Sequence, residues 1–149
     1  MATVSCTRTI AAAPRAVWDV LADFGSISSW AGNVDHSCLL EHAPGDSPVG
    51  TSRRVQVGRT TLVERIIAAV APESLSYDIE GLPRRLGRVA NRWDLRPAGD
   101  GRTDVTLTSS VRIGSNPVAW VAERAVCAAM ARQSESMLAG LARTCEESA

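Results

Sequence analysis

Apolar residues recur along most of this chain at every second position. From Thr3 to Ala11, Val4, Cys6 and Ile10 share one side of an extended segment, which predicts a first strand. Pro14 then stands where a helix begins, because its missing N–H is a donor that a first turn leaves unpaired anyway. Val17, Trp18, Leu21 and Ala22 form that helix's apolar stripe. Gly25 and the serines at 26, 28 and 29 loosen the chain into a turn or second short helix ending near Trp30. Period two then returns. Strands are predicted over Val34 to Glu41, Thr51 to Val57 and Thr61 to Val70. Three more carry Leu75, Tyr77 and Ile79; then Val89, Asn91, Trp93 and Leu95; then Val105 and Leu107, ending near Ile113. Turn-forming clusters separate them, from Ala43 to Pro48, at Gly58-Arg59, at Ala71-Pro72-Glu73, at Gly81-Leu82-Pro83 and from Pro97 to Gly101.

The period changes once more near the end. Asn116 is placed to cap, and Pro117 to open, a helix running to about Thr144. On it Ala119, Val126, Cys127, Met130, Met137 and Leu141 share an apolar face opposite Arg132, Glu135 and Arg143. Two polar residues, Glu123 and Ser134, fall on that apolar face. A long amphipathic helix needs a broad apolar partner, and a curved antiparallel sheet supplies one.

Composition narrows the reading. A chain of 149 residues with 45% hydrophobic content has the length of one domain over residues 1–149. At that length about 70% of the unfolded surface can be buried, so neither disulfides nor a metal are needed to build a core. Sixteen basic and sixteen acidic groups cancel, which removes any global electrostatic reason to bind nucleic acid. Every basic residue is Arg, a pattern that coding bias in an Ala- and Val-rich chain accounts for. The cysteines at 6, 38, 127 and 145 form no C-x-x-C pair. No basic segment leads into an apolar run at the start, and no uninterrupted apolar stretch reaches the ~18–20 residues of a membrane span. The expectation is a cytoplasmic protein with free thiols, monomeric or homodimeric, without stable membrane insertion.

Several stretches taken together resemble a known superfamily. They are Val17-Trp18-Asp19-Val20-Leu21-Ala22-Asp23-Phe24 with Trp30, Val49-Gly50-Thr51-Ser52-Arg53-Arg54-Val55, Glu64-Arg65-Ile66, and Trp93-Asp94-Leu95-Arg96-Pro97 with Gly99-Asp100-Gly101 and Thr103-Asp104-Val105-Thr106. Their order and spacing resemble the START-like, Bet v 1-like (SRPBCC) superfamily, and within it the bacterial polyketide cyclase/dehydrase and lipid-transport branch. The resemblance implies an α+β helix-grip fold. In it a seven-stranded curved antiparallel sheet wraps around a long C-terminal helix, with two short helices between strands 1 and 2. It also implies a cavity between sheet and helix, in which relatives hold lipids, sterols, hormones or polyketides, and a minority of relatives act as cyclases, aromatases or dehydratases. Fold membership alone does not select among these.

The candidate ligand-binding residues follow from that frame. Trp30, Val55, Val57, Leu62, Ile66, Tyr77, Trp93, Met130 and Met137 are the expected apolar lining, and each of them can equally be ordinary core. Arg53 and Glu64 fall at positions where relatives point side chains into the cavity. They would form a buried ion pair able to receive a ligand carboxylate, or else a pair on the sheet's surface. Glu123 would act as acid or base in the cavity mouth, or face a loop. Ser134 would anchor a ligand or bond its own helix, and Asn91 would offer a polar anchor beside Trp93. His36, Cys38 and His42 share a strand face, but no fourth metal ligand follows from the sequence. Gly81-Leu82-Pro83 resembles the gate loop of hormone-binding relatives but follows a different strand, and Arg84, Arg85 and Arg88 make a basic turn after it. No catalytic triad, phosphate loop or cofactor fingerprint stands out, and no cofactor or metal is expected.

The leading expectation is a carrier or sensor that binds a hydrophobic small molecule. The first alternative is a polyketide aromatase/cyclase or dehydratase using acid/base residues of the cavity. The second is a protein-interaction module with a filled core and an exposed apolar patch.

Overall fold

The computed structural model describes residues 2–82, 87–113 and 116–147. The chain runs β1 (Ala2–Ile10), α1 (Pro14–Ala22), a 3-10 helix (Phe24–Ser29), β2 (His36–Glu41), β3 (Ser52–Val57), β4 (Thr60–Val70), β5 (Ser74–Glu80), β6 (Arg88–Gly99), β7 (Arg102–Arg112) and α2 (Pro117–Glu147). The strands form one sheet in the order β1-β7-β6-β5-β4-β3-β2, antiparallel throughout. The sheet wraps around α2 as the helix-grip expectation required.

Alternation explains the sheet's two faces. On β6, Val89, Asn91, Trp93 and Leu95 are buried, and on β7, Thr103, Val105, Leu107, Ser109 and Val111 are buried. The intervening residues on both strands are exposed or half-buried. The outer face is held by small cross-strand bonds, such as Ser5 Oγ to Thr108 Oγ1 at 3.0 Å and Thr9 Oγ1 donating to Asp104 Oδ1 at 2.6 Å.

The segment between β1 and β2 closes one end of the structure. On α1, Val17, Trp18 and Leu21 of the expected apolar stripe are buried, whereas Ala22, in the last position of the helix, is exposed. Phe24 and Ile27 are buried on the 3-10 helix. Ser37 on β2 ties that helix to the sheet edge, its Oγ donating to Gly25 O at 2.8 Å and accepting from Ser28 N at 3.0 Å. Val34, expected to open strand 2, instead closes a turn by donating its N–H to Ala31 O at 3.0 Å, and β2 begins two residues later. The Gly114-Ser115 part of the helix start signal lies outside the described residues. Asn116 caps as expected, its Oδ1 accepting from Ala119 N at 2.7 Å.

The long helix is not uniformly buried. Met137, Leu138, Gly140, Leu141, Ala142 and Cys145 are buried, whereas of residues 117–133 only Ala119 and Glu123 are. Val126, Cys127 and Met130, expected on the apolar face, are only half-buried, although this part of α2 still runs beside β1, with Ala131 O 4.0 Å from Cys6 Sγ. Leu138, Ala142 and Cys145 extend the buried face past the residues that spacing had singled out. Gly140 allows the closest approach: a Cβ there would run into the Trp30 carbonyl oxygen.

Candidate functional site

A cavity of about 70 Å³ lies between α2 and the sheet. Val55, Val57, Leu62, Glu64, Asn91, Met130, Ser134 and Met137 line it, all of them singled out from sequence. Ile27, Asn33, Val34, Ile79, Ser109 and Gln133 complete the lining. Of these, Ile79 and Ser109 were legible by parity, since they fall in step with Leu75 and Tyr77 on β5 and with Val105 and Leu107 on β7. Asn33 sits in an irregular connection and carries no periodic signal. Half-buried Val57, Leu62, Ile79 and Met130 mark the side nearest solvent.

Register builds the charged wall. Arg53 on β3 lies directly opposite Glu64 on β4. Arg53 is 2% exposed and Glu64 is 6% exposed, so the two form a buried ion pair. Arg53 Nε donates to Glu64 Oε1 at 2.7 Å, and Nη2 lies 2.6 Å from the same oxygen. Nη1 donates to Phe24 O at 2.9 Å. The guanidinium also lies over the Phe24 ring, 3.7 Å from its centroid, and 4.8 Å from that of Tyr77. All three nitrogens of Arg53 are therefore engaged, and Arg53 is not among the cavity-lining residues. Glu64 is, and among the described residues its Oε2 accepts no hydrogen bond.

A polar row crosses the sheet beside this pair. Tyr77, Asn91 and Ser109 are successive cross-strand partners on β5, β6 and β7. Ser109 Oγ donates to Asn91 Oδ1 at 2.7 Å, and Asn91 Nδ2 donates to the Tyr77 hydroxyl at 3.4 Å. Trp93 Nε1 donates to the same hydroxyl at 3.3 Å. Burial first, and then the nearby Glu64 carboxylate, push the Tyr77 phenol above its ordinary pKa despite opposing contributions from Arg53, Trp93 and Asn91. Tyr77 therefore stays protonated at neutral pH and is no base there.

The remaining expected ligand-binding residues are placed elsewhere. Trp30 and Trp93 pack edge to face, with centroids 5.8 Å apart, and Phe24 and Tyr77 do so at 5.5 Å. These four rings are core, and none of them is among the cavity-lining residues. Ile66 is buried beside Phe24, Gly25, Leu39 and Thr51 in a separate groove. Glu123 is buried outside the cavity, where Oε1 accepts from Ile113 N at 3.2 Å and secures the entry to α2. A helix-start carboxylate is well suited to that bond.

The strand of possible metal ligands does not converge. His36 and Cys38 are exposed on an edge strand, and a register shift between Leu39 and Glu41 interrupts alternation before His42. Among the described residues no three His, Cys, Asp or Glu side chains gather. Pro83, Arg84 and Arg85 of the expected gate and basic turn lie outside the described residues. No helix among the described residues is long and apolar enough to cross a membrane.

Solved structures share this architecture. The Zhui aromatase/cyclase from Streptomyces sp. R1128 superposes with a TM-score of 0.80 at 21% identity, covering 97% of this chain and 93% of that one. A START superfamily protein from Mycobacterium smegmatis gives 0.80 at 15% identity and covers 99% of both chains. A Thermobifida fusca protein gives 0.78 at 22% identity, over 97% of this chain and 93% of its own. At these identities the likeness establishes the helix-grip fold. No curated protein matches the sequence. The family model described as "Polyketide cyclase / dehydrase and lipid transport" matches residues 1–146, nearly the whole length over which the strands, the ion pair and the long helix were traced. The chain belongs to that polyketide cyclase/dehydrase and lipid-transport family.

Proposed function

We propose that the chain binds a hydrophobic small molecule between sheet and α2, as a carrier or sensor. The observation that carries this reading is the cavity itself. It has apolar walls from five elements and a few polar groups, Glu64 Oε2 and Asn33 Oδ1 among them, that have no hydrogen-bond partner among the described residues. Ligand sites have this composition, mostly apolar with few polar atoms that set orientation. Volumes of ~300–1,000 Å³ are usual for drug-sized ligands. At about 70 Å³ this cavity takes one end of such a ligand, or the whole of a very small one. Met130 and Met137, flexible thioethers in its wall, allow it to widen.

The test is mass spectrometry of an organic extract from full-length protein purified gently from its native host. A stoichiometric apolar compound is expected. Adding it at 100 times its dissociation constant should raise stability by about 2.7 kcal/mol, and Met130→Trp should abolish that gain. An empty extract from folded protein, with no compound raising its stability, would sink the reading. It would turn attention to the exposed face of Val118, Trp120 and Val121 on α2 as a protein-interaction surface.

A catalytic second reading is favoured by one feature. The unengaged Glu64 oxygen stands at the cavity wall, where a carboxylate is available as the base that a dehydrating cyclisation uses. Turnover of a poly-β-keto thioester by the wild-type chain, lost in Glu64→Gln with folding intact, would establish it. An unchanged substrate would reject it.

A further inference from the structure

Resting on the ligand-binding reading, we infer that the part of the ligand entering this cavity carries a hydrogen-bond donor, a hydroxyl or an amino group, and not a carboxylate. The sequence suggests the opposite, because an arginine at an inward position invites an anion. The geometry removes that arginine from the ligand's reach. Its Nε and Nη2 are spent on Glu64 Oε1, its Nη1 on Phe24 O, and its flat face is covered by the Phe24 and Tyr77 rings. Glu64 stands at the cavity wall with Arg53 behind it, so the charged group a ligand meets is the acid. Among the described residues, Glu64 is the only charged one in the lining.

The neutral polar groups point the same way. Asn33 Oδ1 is buried and has no hydrogen-bond partner, the single side-chain oxygen in that condition among the described residues. Ser109 spends its proton on Asn91 Oδ1 and turns only lone pairs to the cavity. Against these acceptors stand the second N–H of Asn91, the hydroxyl of Ser134 and the amide of Gln133. A buried acceptor without a donor is unfavourable, and a carboxylate brought beside Glu64 adds repulsion and its own desolvation. A hydroxyl or ammonium satisfies Glu64 Oε2 or Asn33 Oδ1 instead. Charge-assisted bonds to Glu64 make an amino head the stronger binder of the two where it is protonated.

The experiment titrates four one-ring probes (phenol, benzylamine, toluene and benzoate) into the full-length protein. It follows the methyl NMR signals of Met130 and Met137, both at the cavity wall. Phenol or benzylamine is expected to bind at least about tenfold more tightly than benzoate, with toluene between them. The phenol-to-benzylamine ratio then separates a hydroxyl ligand from an ammonium one. Asn33→Leu, which leaves the Arg53–Glu64 pair intact, should shrink the preference over toluene by roughly three- to tenfold. Glu64→Gln should raise benzoate affinity. Because that substitution alters a buried pair, Asn33→Leu is the decisive variant if Glu64→Gln unfolds. Benzoate binding as tightly as phenol and benzylamine, or an unchanged preference in Asn33→Leu, would overturn the inference while leaving the ligand-binding reading standing. No shift of either methionine with any probe, toluene included, would overturn both.

Discussion

The two halves of α2 differ in a way that their hydrophobicity does not foretell. Residues 117–133 are nearly apolar all round. Glu123, Arg124 and Arg132 are their only charges, and Glu123 is buried. Yet this half is the exposed one, with Val118 at 78%, Trp120 at 59% and Val121 at 61% exposure. The second half mixes Glu135, Ser136 and Arg143 with its apolar residues and is the one that docks. What separates them is the width and shape of the apolar face. Leu138, Leu141, Ala142 and Cys145, with Gly140 among them, form a stripe flat enough for α2 to close on the Trp30 carbonyl. The first half has no such close-approach glycine and carries half-buried Met130 over the cavity instead. A helix can thus be a clamp at one end and a roof at the other.

That contrast can be broken by mutation, and the largest effect belongs to the clamp. Leu138→Ala removes a fully buried side chain and should cost about 2–5 kcal/mol of unfolding free energy, read by urea denaturation. Gly140→Ala should follow at about 1–3 kcal/mol, because its methyl group forces α2 away from the Trp30 carbonyl. A Gly140→Ala protein as stable as wild type would mean that the clamp is not close-packed. The third effect is set by pH. Burial first, and then Glu146, push the Cys145 thiol up from 9.0 to about 11. The folded state thus holds its proton more tightly than the unfolded state. The stabilisation is complete below pH 9 and is lost as pH rises to about 11. The urea midpoint should therefore fall over that window, and fall less in Cys145→Ala. The smallest effect belongs to the roof: Val121→Ala should change stability by less than about 0.5 kcal/mol. A loss of 2 kcal/mol or more there, on the order of a core truncation, would show that the exposed face is covered in solution and that the two halves are less different than they look.

The sheet was legible because parity needs only neighbours in sequence. One buried face follows from alternation on each strand, and a strand with its polar residues outward has one register that keeps them there. The inward positions of Asn91 and Ser134 were readable from periodicity, strand parity for one and helical spacing for the other, whereas those of Arg53 and Glu64 rested on the family resemblance. Their partners were not readable. Whether Arg53 meets a ligand or Glu64 depends on Phe24 O and on two rings that arrive from other elements. Glu123 sat on the apolar face as expected, yet the short connection from β7 brought Ile113 N to its carboxylate and took it out of the cavity. Asn33, which belongs to no periodic element, could be found only in three dimensions.

Sequence by itself therefore determined the elements, their order, the inward and outward faces, and the family. These rest on local periodicity and on turn residues that act within a few positions of themselves. Tertiary structure alone decided how large the cavity is, which charge faces it and which part of the long helix is buried. Each of those depends on side chains far apart in sequence competing for the same space and the same hydrogen-bond donors. Trp30 and Trp93 packed on each other in the core, Arg53 turned its three nitrogens to Glu64 and Phe24, and Glu64 was left at the cavity wall with one oxygen that Arg53 does not engage.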